Sequence, residues 1–101
     1  MPVIPDIHKA IFAAVSQPRA LDMGSWHSCE TTHCRAGWAV HLAGPEGYAL
    51  EEFHNTELAA MLIYKASGYL INPARFHDAA NAAMDDMRKL AEGDTEASAA
   101  Q

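Results

Sequence analysis

The chain has few basic residues. Its 101 residues include seven Lys and Arg against 13 Asp and Glu, which gives a formal net charge of −6. The seven cations are scattered along the sequence, so no basic stripe is present to neutralise phosphates. We therefore expect no nucleic-acid partner. An acidic surface is compatible with a basic protein partner, but acidity is also common as a means of solubility, and the composition favours that interpretation.

Long apolar runs are also lacking. No stretch approaches the roughly 18 residues that are needed to cross a bilayer, so we expect no membrane segment. The first segment, MPVIPDIHKAIFAAVSQP, lacks the basic start and the uninterrupted apolar core of a signal peptide. We expect a cytoplasmic location, where two cysteines are more often free thiols than a disulfide.

Alternating strand patterns are nearly absent, and the short GYLIN at 68–72 is the only strand candidate. Helical spacing and cap residues instead predict four helices. The first follows Asp6 and ends before Pro18, the second runs from Thr31 or Thr32 to Gly44, the third from Asn55 or Thr56 to Gly68, and the fourth from Asn72 to about Ala91. The intervening PEGYALEEFHN is predicted to be a loop or a short helical turn.

The third predicted helix, ELAAMLIYKAS, is apolar nearly all round, which is typical of a helix in the middle of a domain. The sequence therefore predicts an all-α fold, a compact single-domain bundle of about four helices with the third helix central, over residues 1–92. The tail at 93–101, GDTEASAAQ, has no large apolar residue and is expected to be disordered.

The rare residue types are crowded into one segment, WHSCETTHCRAGWAVHLAG, from Trp26 to Gly44. It contains both cysteines, both tryptophans and three of the six histidines of the chain. Three interpretations are open: a zinc site, a reactive thiol, and a tightly packed part of the core.

Zinc is suggested by the close spacing of four candidate ligands, His27, Cys29, His33 and Cys34. Structural zinc sites usually combine two separate ligand pairs, and this sequence has no second Cys pair. No other metal or cofactor is expected.

A reactive thiol is suggested by the predicted helix start at Thr31 or Thr32. Cys34 would then lie in the first turn, where the helix dipole and the neighbouring His33 and Arg35 favour a thiolate. No glycine loop for an oxyanion and no positioned carboxylate accompany it, so the sequence favours a non-enzymatic protein over an enzyme.

Packing accounts for the same residues without chemistry, and the sequence favours it. Most of the second predicted helix forms a wide apolar arc that includes Trp38 and Leu42. Gly37, which lies off this arc, marks a place where another backbone or a large ring comes close, and Trp26 is a candidate to cover it. Buried cysteines fit such a core.

Arg35 lies within this apolar arc, and its neighbours have a composition common at interfaces. We predict Trp26, Arg35, Trp38 and Leu42 as interaction residues, for a protein partner or a homodimer. Arg35 would face either a carboxylate inside the fold or a partner outside it. The acidic pairs Asp85-Asp86 and Glu51-Glu52 are interpreted as solvated faces.

The segment resembles a family of small bacterial and phage-borne proteins with the core W-H-x-C-x-T-T-H-C-x-A-G-W-A, which also occurs beside pentapeptide repeats. The resemblance extends from about Trp26 to Leu90, with Glu30 where a glycine is expected. It implies that the unit from Thr31 to Trp38 defines a recurring helical module, and it implies no activity.

Together these observations predict a small acidic, non-enzymatic protein-protein interaction module, such as a regulator or a phage-encoded antagonist of a host or defence complex. The alternative is a Cys/His-dependent site within residues 27–41, with structural zinc or a reactive thiol.

Overall fold

The computed structural model describes residues 1–93, which are mostly helical. This range contains helices α1 (Ile7–Val15), α2 (Arg35–Leu42), α3 (Pro45–Phe53), α4 (Thr56–Ala66) and α5 (Ala80–Ala91), a 310 helix (Pro73–His77), and strands β1 (His27–Cys29) and β2 (Thr32–His33). The predicted all-α bundle is confirmed. No helix within residues 1–93 is long and apolar enough to cross a membrane. The tail that was predicted to be disordered lies outside the described residues, apart from Gly93 itself.

Helices α2 and α4 form the centre of the bundle. Helix α4 packs against α2 and α3, while α1 packs against α2 and α5. In α4, Ala59, Ala60, Ile63 and Tyr64 are fully buried, which confirms the central position predicted for this helix. Helix α2 is buried from Arg35 to Val40 and shares that position. Burial on several sides accounts for the apolar residues around much of the circumference of both helices.

Two predicted helix caps have different outcomes. Asn55 has an extended backbone, and the N–H of Leu58 donates to its side chain at 2.8 Å, as predicted. Asp6 precedes α1 but makes no side-chain cap, because its backbone is left-handed (φ 49°) and not extended. Helix α1 is fixed by its apolar side chains, Ile7, Ile11 and Val15, which are all buried as their spacing predicts.

The second helix begins later than predicted. Its cap is Cys34, whose sulfur accepts a hydrogen bond from the N–H of Gly37 at 3.3 Å. Thr32, a predicted cap, lies in β2, and its hydroxyl donates to the carbonyl of Arg19 at 2.7 Å. The predicted caps at Thr31 or Thr32 are therefore wrong, because the Thr32 hydroxyl is used between segments and the helix starts beyond both residues.

A small antiparallel hairpin occupies the end of the predicted irregular connection. Strand β1 pairs with β2, with His27 opposite His33 and Cys29 opposite Thr32 across a bulge. Strands this short cannot show an alternating pattern, so the sequence contained no signal for them.

Helix α3 forms where a loop or a short turn was predicted. Pro45 occupies its first turn, which suits a residue without an N–H. Gly47 faces α2, and a Cβ at this position would overlap the carbonyl oxygen of Val40. The glycine, which disfavours a helix by propensity, allows α3 to lie directly on α2.

The predicted fourth helix is divided in two. Asn72 caps the 310 helix by accepting from the N–H of Ala74 at 3.0 Å, and Asp78 and Ala79 are extended before α5 begins. The 310 helix buries Phe76, whereas Ala80, at the start of α5, is exposed. A spacing of seven residues from Phe76 to buried Ala83 fits a continuous helix, so the apolar pattern concealed the break.

Candidate functional site

A hydrogen-bond network of polar side chains joins the hairpin to α3. His27 Nδ1 and His33 Nδ1 lie 2.7 Å apart, and His27 Nε2 lies 2.6 Å from Glu51 Oε2. At the other end, His33 Nε2 lies 2.8 Å from the carbonyl oxygen of Glu30. The hydroxyl of Thr56 also donates to Glu51 Oε2, at 2.7 Å. The network fixes β1 and β2 against the inner side of α3.

The hydrogen bonds of this network require a definite number of protons. The contacts of His27 with Glu51, of His27 with His33, and of His33 with a carbonyl each need one proton. A carboxylate and two neutral imidazoles supply only two protons. All three hydrogen bonds therefore form at once only when the trio of Glu51, His27 and His33 holds one proton more than that.

His33 is the buried member of the trio. Its ring is stacked on His41 with centroids 4.6 Å apart and meets Trp38 edge-on at 4.6 Å. Burial lowers the pKa of His33 below its usual value, and the nearby His41 and His27 lower it further. Burial therefore disfavours a second ring proton on His33.

A second polar pair extends the cluster. His41 Nδ1, on α2, lies 2.8 Å from the hydroxyl of Tyr48 on α3. The Tyr48 ring also lies beside His27, with centroids 5.5 Å apart. These rings cover the junction of α2, α3 and the hairpin.

The four predicted zinc ligands do not converge. His27 and His33 contact each other, whereas the sulfur of buried Cys34 is turned toward the N–H of Gly37 in its own helix. Cys29 is exposed and lies beside Thr31. Across the described part of the chain, no group of three His, Cys, Asp or Glu side chains is arranged to hold a metal ion. The predicted ligand set is therefore not assembled: Cys34 caps a helix, the His27 and His33 rings contact each other, and Cys29 is exposed.

The two thiols have opposite environments, and the one that the sequence singled out, Cys34, is the buried one. Cys34 is buried, and desolvation raises its pKa although the N–H groups of Gly37 and Ala36 oppose the shift. Cys29 is exposed, and hydrogen bonds with the side chains of Thr31 and Thr32 lower its pKa to about 7. The lowered pKa and the exposure therefore favour a thiolate at Cys29, in the hairpin, over one at Cys34.

Arg35 faces a carboxylate inside the fold. Its side chain is fully buried, Nη1 donates to Asp86 Oδ2 of α5 at 2.7 Å, and Nε donates to the Tyr64 hydroxyl at 3.2 Å. Burial opposes its charge, yet Tyr64 and Asp86 keep the pKa of Arg35 above its ordinary value. Nη2 has no hydrogen-bond partner among the residues described. Arg35 therefore links α2, α4 and α5.

The predicted interaction residues are divided between the core and the surface. Arg35 and Trp38 are buried, and the Trp38 ring N–H donates to the carbonyl of Ala20 at 2.7 Å. Their assignment to an interaction surface is corrected, because packing and hydrogen bonding take up both side chains. Trp26 and Leu42 remain accessible, with exposed fractions of 40% and 38%.

Gly37 makes the close contact that was predicted for it. The group beside it is the backbone carbonyl of Trp26, and a Cβ on residue 37 would overlap this oxygen. The same oxygen accepts a hydrogen bond from the N–H of Cys34 at 3.3 Å. The Trp26 backbone, and not its ring, covers the glycine.

Two carboxylates with partners inside the fold were missed in the sequence. Glu51 and Asp86 each belong to an acidic pair that was interpreted as a solvated face. Their partners, His27 and Arg35, are 24 and 51 residues away, so no local spacing could indicate the contacts. The only available signal was Arg35 itself, since an arginine on a buried arc requires a carboxylate or a comparable partner.

Comparison with protein families, curated proteins and solved structures finds no match to this chain.

Proposed function

We propose that the protein is a small, acidic, non-enzymatic interaction module that regulates another protein by binding it. The observation that carries this proposal is the exposure of large apolar side chains on an acidic chain. Phe53 is 82% exposed, and Trp26 and Leu42 are 40% and 38% exposed. Exposed apolar groups rimmed by polar residues are typical of protein-binding surfaces.

The use of the histidines supports a binding role over catalysis. A general base needs a ring nitrogen whose lone pair can reach a substrate. In His27 and His33, both nitrogens already contact protein groups. The trio of Glu51, His27 and His33 joins segments of the fold and offers no free base.

Affinity capture followed by reconstitution tests the proposal. The tagged protein should retain one bacterial protein in a fixed ratio at physiological salt, and the purified pair should re-form a complex of defined mass in solution. A Cys29→Ser variant should bind equally well, because the thiol has no part in the proposed contact. If no stoichiometric complex can be reconstituted, the proposal is wrong.

A second candidate function is thiol chemistry at Cys29. It is favoured by one observation, the exposed thiol whose pKa is lowered to about 7. A cytoplasmic location, which we propose for the module, would keep this thiol reduced. Loss of a cellular phenotype in Cys29→Ser, with partner binding intact, would favour this candidate over the interaction module.

A further inference from the structure

We infer that the partner binds the outward face of α3 and that it presents a basic surface with a protruding apolar side chain. This inference rests on the proposed function and specifies its surface and the chemistry of its partner. We define the outward face by the six exposed residues of the helix: Pro45, Glu46, Tyr48, Ala49, Glu52 and Phe53.

These residues form one continuous surface. At 100° per residue they fall within an arc of roughly 160° around the axis of α3. The opposite side of the helix is held by the protein, since Gly47 is buried against α2 and Glu51 contacts the hairpin. The rigid attachment of the inner side leaves the outward face fixed in orientation, which lowers the entropic cost of binding.

The outward face combines an aromatic anchor with unpaired acidic groups. Phe53 lies on it almost fully exposed, near Glu52. Neither Glu46 nor Glu52 forms an ion pair with any residue in 1–93, whereas Glu51 and Glu57 are paired with histidines. An exposed aromatic residue among free carboxylates is complementary to a surface that carries Lys or Arg around an apolar contact.

The charge of the surrounding sequence strengthens this complementarity. No Lys or Arg occurs between Arg35 and Lys65, and Arg35 is buried with Asp86. Glu46 and Glu52 therefore have no Lys or Arg within ten residues of them in the sequence. A second copy of the chain would present the same carboxylates, so like-charge repulsion disfavours a homodimer through this face.

A groove beside the face can receive an apolar side chain. It has a volume of about 280 Å³ and is lined by Met1, Pro2, Glu46, Ala49 and Leu50. Ala49 and Glu46 belong to both the groove and the outward face. A partner side chain such as Leu could insert there while Phe53 contacts the partner, and basic groups could reach Glu46 at the rim.

Selection from a random short-peptide library tests the inference with a defined probe. Peptides enriched on the immobilised protein should be basic and should contain an aromatic or aliphatic residue. Their affinity should fall as the salt is raised from about 0.15 M to about 1 M, because screening shortens the reach of the carboxylates. Enrichment of neutral or acidic peptides, or of none, would overturn the inference.

Surface variants locate the binding. Phe53→Ser should weaken the selected peptides and the reconstituted partner about tenfold or more, and Glu52→Lys should weaken them at low salt. Leu70→Ser is the matched control, since Leu70 is about as exposed as Phe53. The two residues flank opposite ends of α4: Phe53 precedes its start and Leu70 follows its end. Leu70→Ser should bind normally.

The outcomes separate this inference from the proposed function. If the wild-type protein reconstitutes a complex that is unaffected by Phe53→Ser and Glu52→Lys, the interaction module stands and the α3 face is wrong. If the wild-type protein forms no complex at all, the proposed function itself fails. A homodimer that Phe53→Ser dissociates would identify a second copy as the occupant and overturn the assignment of a basic partner.

Discussion

The backbone carbonyl oxygen of Trp26 fills the space that a side chain at position 37 would need, so Gly37 and Trp26 are in direct backbone contact. This contact holds the loop before β1 against the first turn of α2. The same carbonyl accepts a hydrogen bond from the N–H of Cys34, whose sulfur caps the helix. One glycine thus sets the distance between the hairpin and the helix.

Gly37→Ala should destabilise the protein by about 3 kcal/mol, because the new methyl group must displace backbone. Helix propensity alone predicts the opposite, a gain of about 1 kcal/mol. Urea unfolding measures the difference. Gly24→Ala is the control: its Cβ would meet only the side chain of Asp22, at 3.2 Å, and stability should change by less than about 0.5 kcal/mol. A stable Gly37→Ala protein would contradict the observed contact.

Asp86→Ala should lower the free energy of unfolding by about 2 kcal/mol, because it leaves the buried Arg35 guanidinium without its carboxylate. The expected loss is below that of a fully buried pair, since the Asp86 side chain is 36% exposed. Asp85→Ala, which removes only exposed contacts to Arg88 and Lys89, should cost clearly less stability than Asp86→Ala.

Arg35→Met provides the second arm of this measurement. In that background, Asp86→Ala should have little effect on stability, because the buried guanidinium that it would leave unpaired is already absent. Equal losses from Asp86→Ala in both backgrounds would show that the carboxylate does not act through Arg35.

Cys29 should be alkylated by iodoacetamide at pH 7 well before Cys34. With a pKa of about 7, roughly half of Cys29 is thiolate at this pH, whereas burial both raises the pKa of Cys34 and blocks access to it. Mass spectrometry of the intact protein should show one modification, and none in Cys29→Ser. Rapid modification of Cys34 in folded Cys29→Ser would refute this assignment.

Acidification should destabilise the fold in part through His33. Its pKa is lowered in the folded protein, so below the unfolded value of about 6.5 the unfolded state binds more protons than the folded state. The stabilisation that neutral His33 contributes is fully present above about pH 6.5 and is lost as the pH falls from there through the lowered pKa of folded His33. Its slope is at most about 1.4 kcal/mol per pH unit.

His33→Gln should remove this part of the pH dependence, because the amide can still contact the Glu30 carbonyl but does not titrate. Unfolding measured from pH 8 to about pH 5 would show the reduced slope. His54→Gln, at an exposed position, is the control and should leave the slope as in the wild type. An unchanged slope in His33→Gln would exclude His33 as the source.

The accuracy of the sequence predictions depended on whether a feature is local. Asn55 was recognised as a cap because its partner, Leu58, is three residues away. The close approach at Gly37 was also expected, since a glycine within a helix usually marks such a contact. The pairing of Arg35 with Asp86 and of His27 with Glu51 depends on how distant segments of the chain are arranged, which one sequence does not specify.

The hypothesis of a reactive Cys34 depended on a helix cap predicted two or three residues before the actual one. A cap at Thr31 or Thr32 would have placed the thiol in a first turn open to solvent, whereas the true start at Arg35 turns the sulfur inward. The hairpin caused this shift, because it takes Thr32 into a strand. Hairpins of this size leave almost no trace in a single sequence.

The link between Arg35 and Asp86 also has a consequence for how the chain is synthesised. The two residues are 51 positions apart, and Asp86 belongs to the last of the described helices. While the ribosome is still producing α5, the guanidinium of Arg35 has no carboxylate and α2 cannot be buried without cost. We expect the nascent chain to stay unfolded until α5 has emerged, so that folding occurs in one late step.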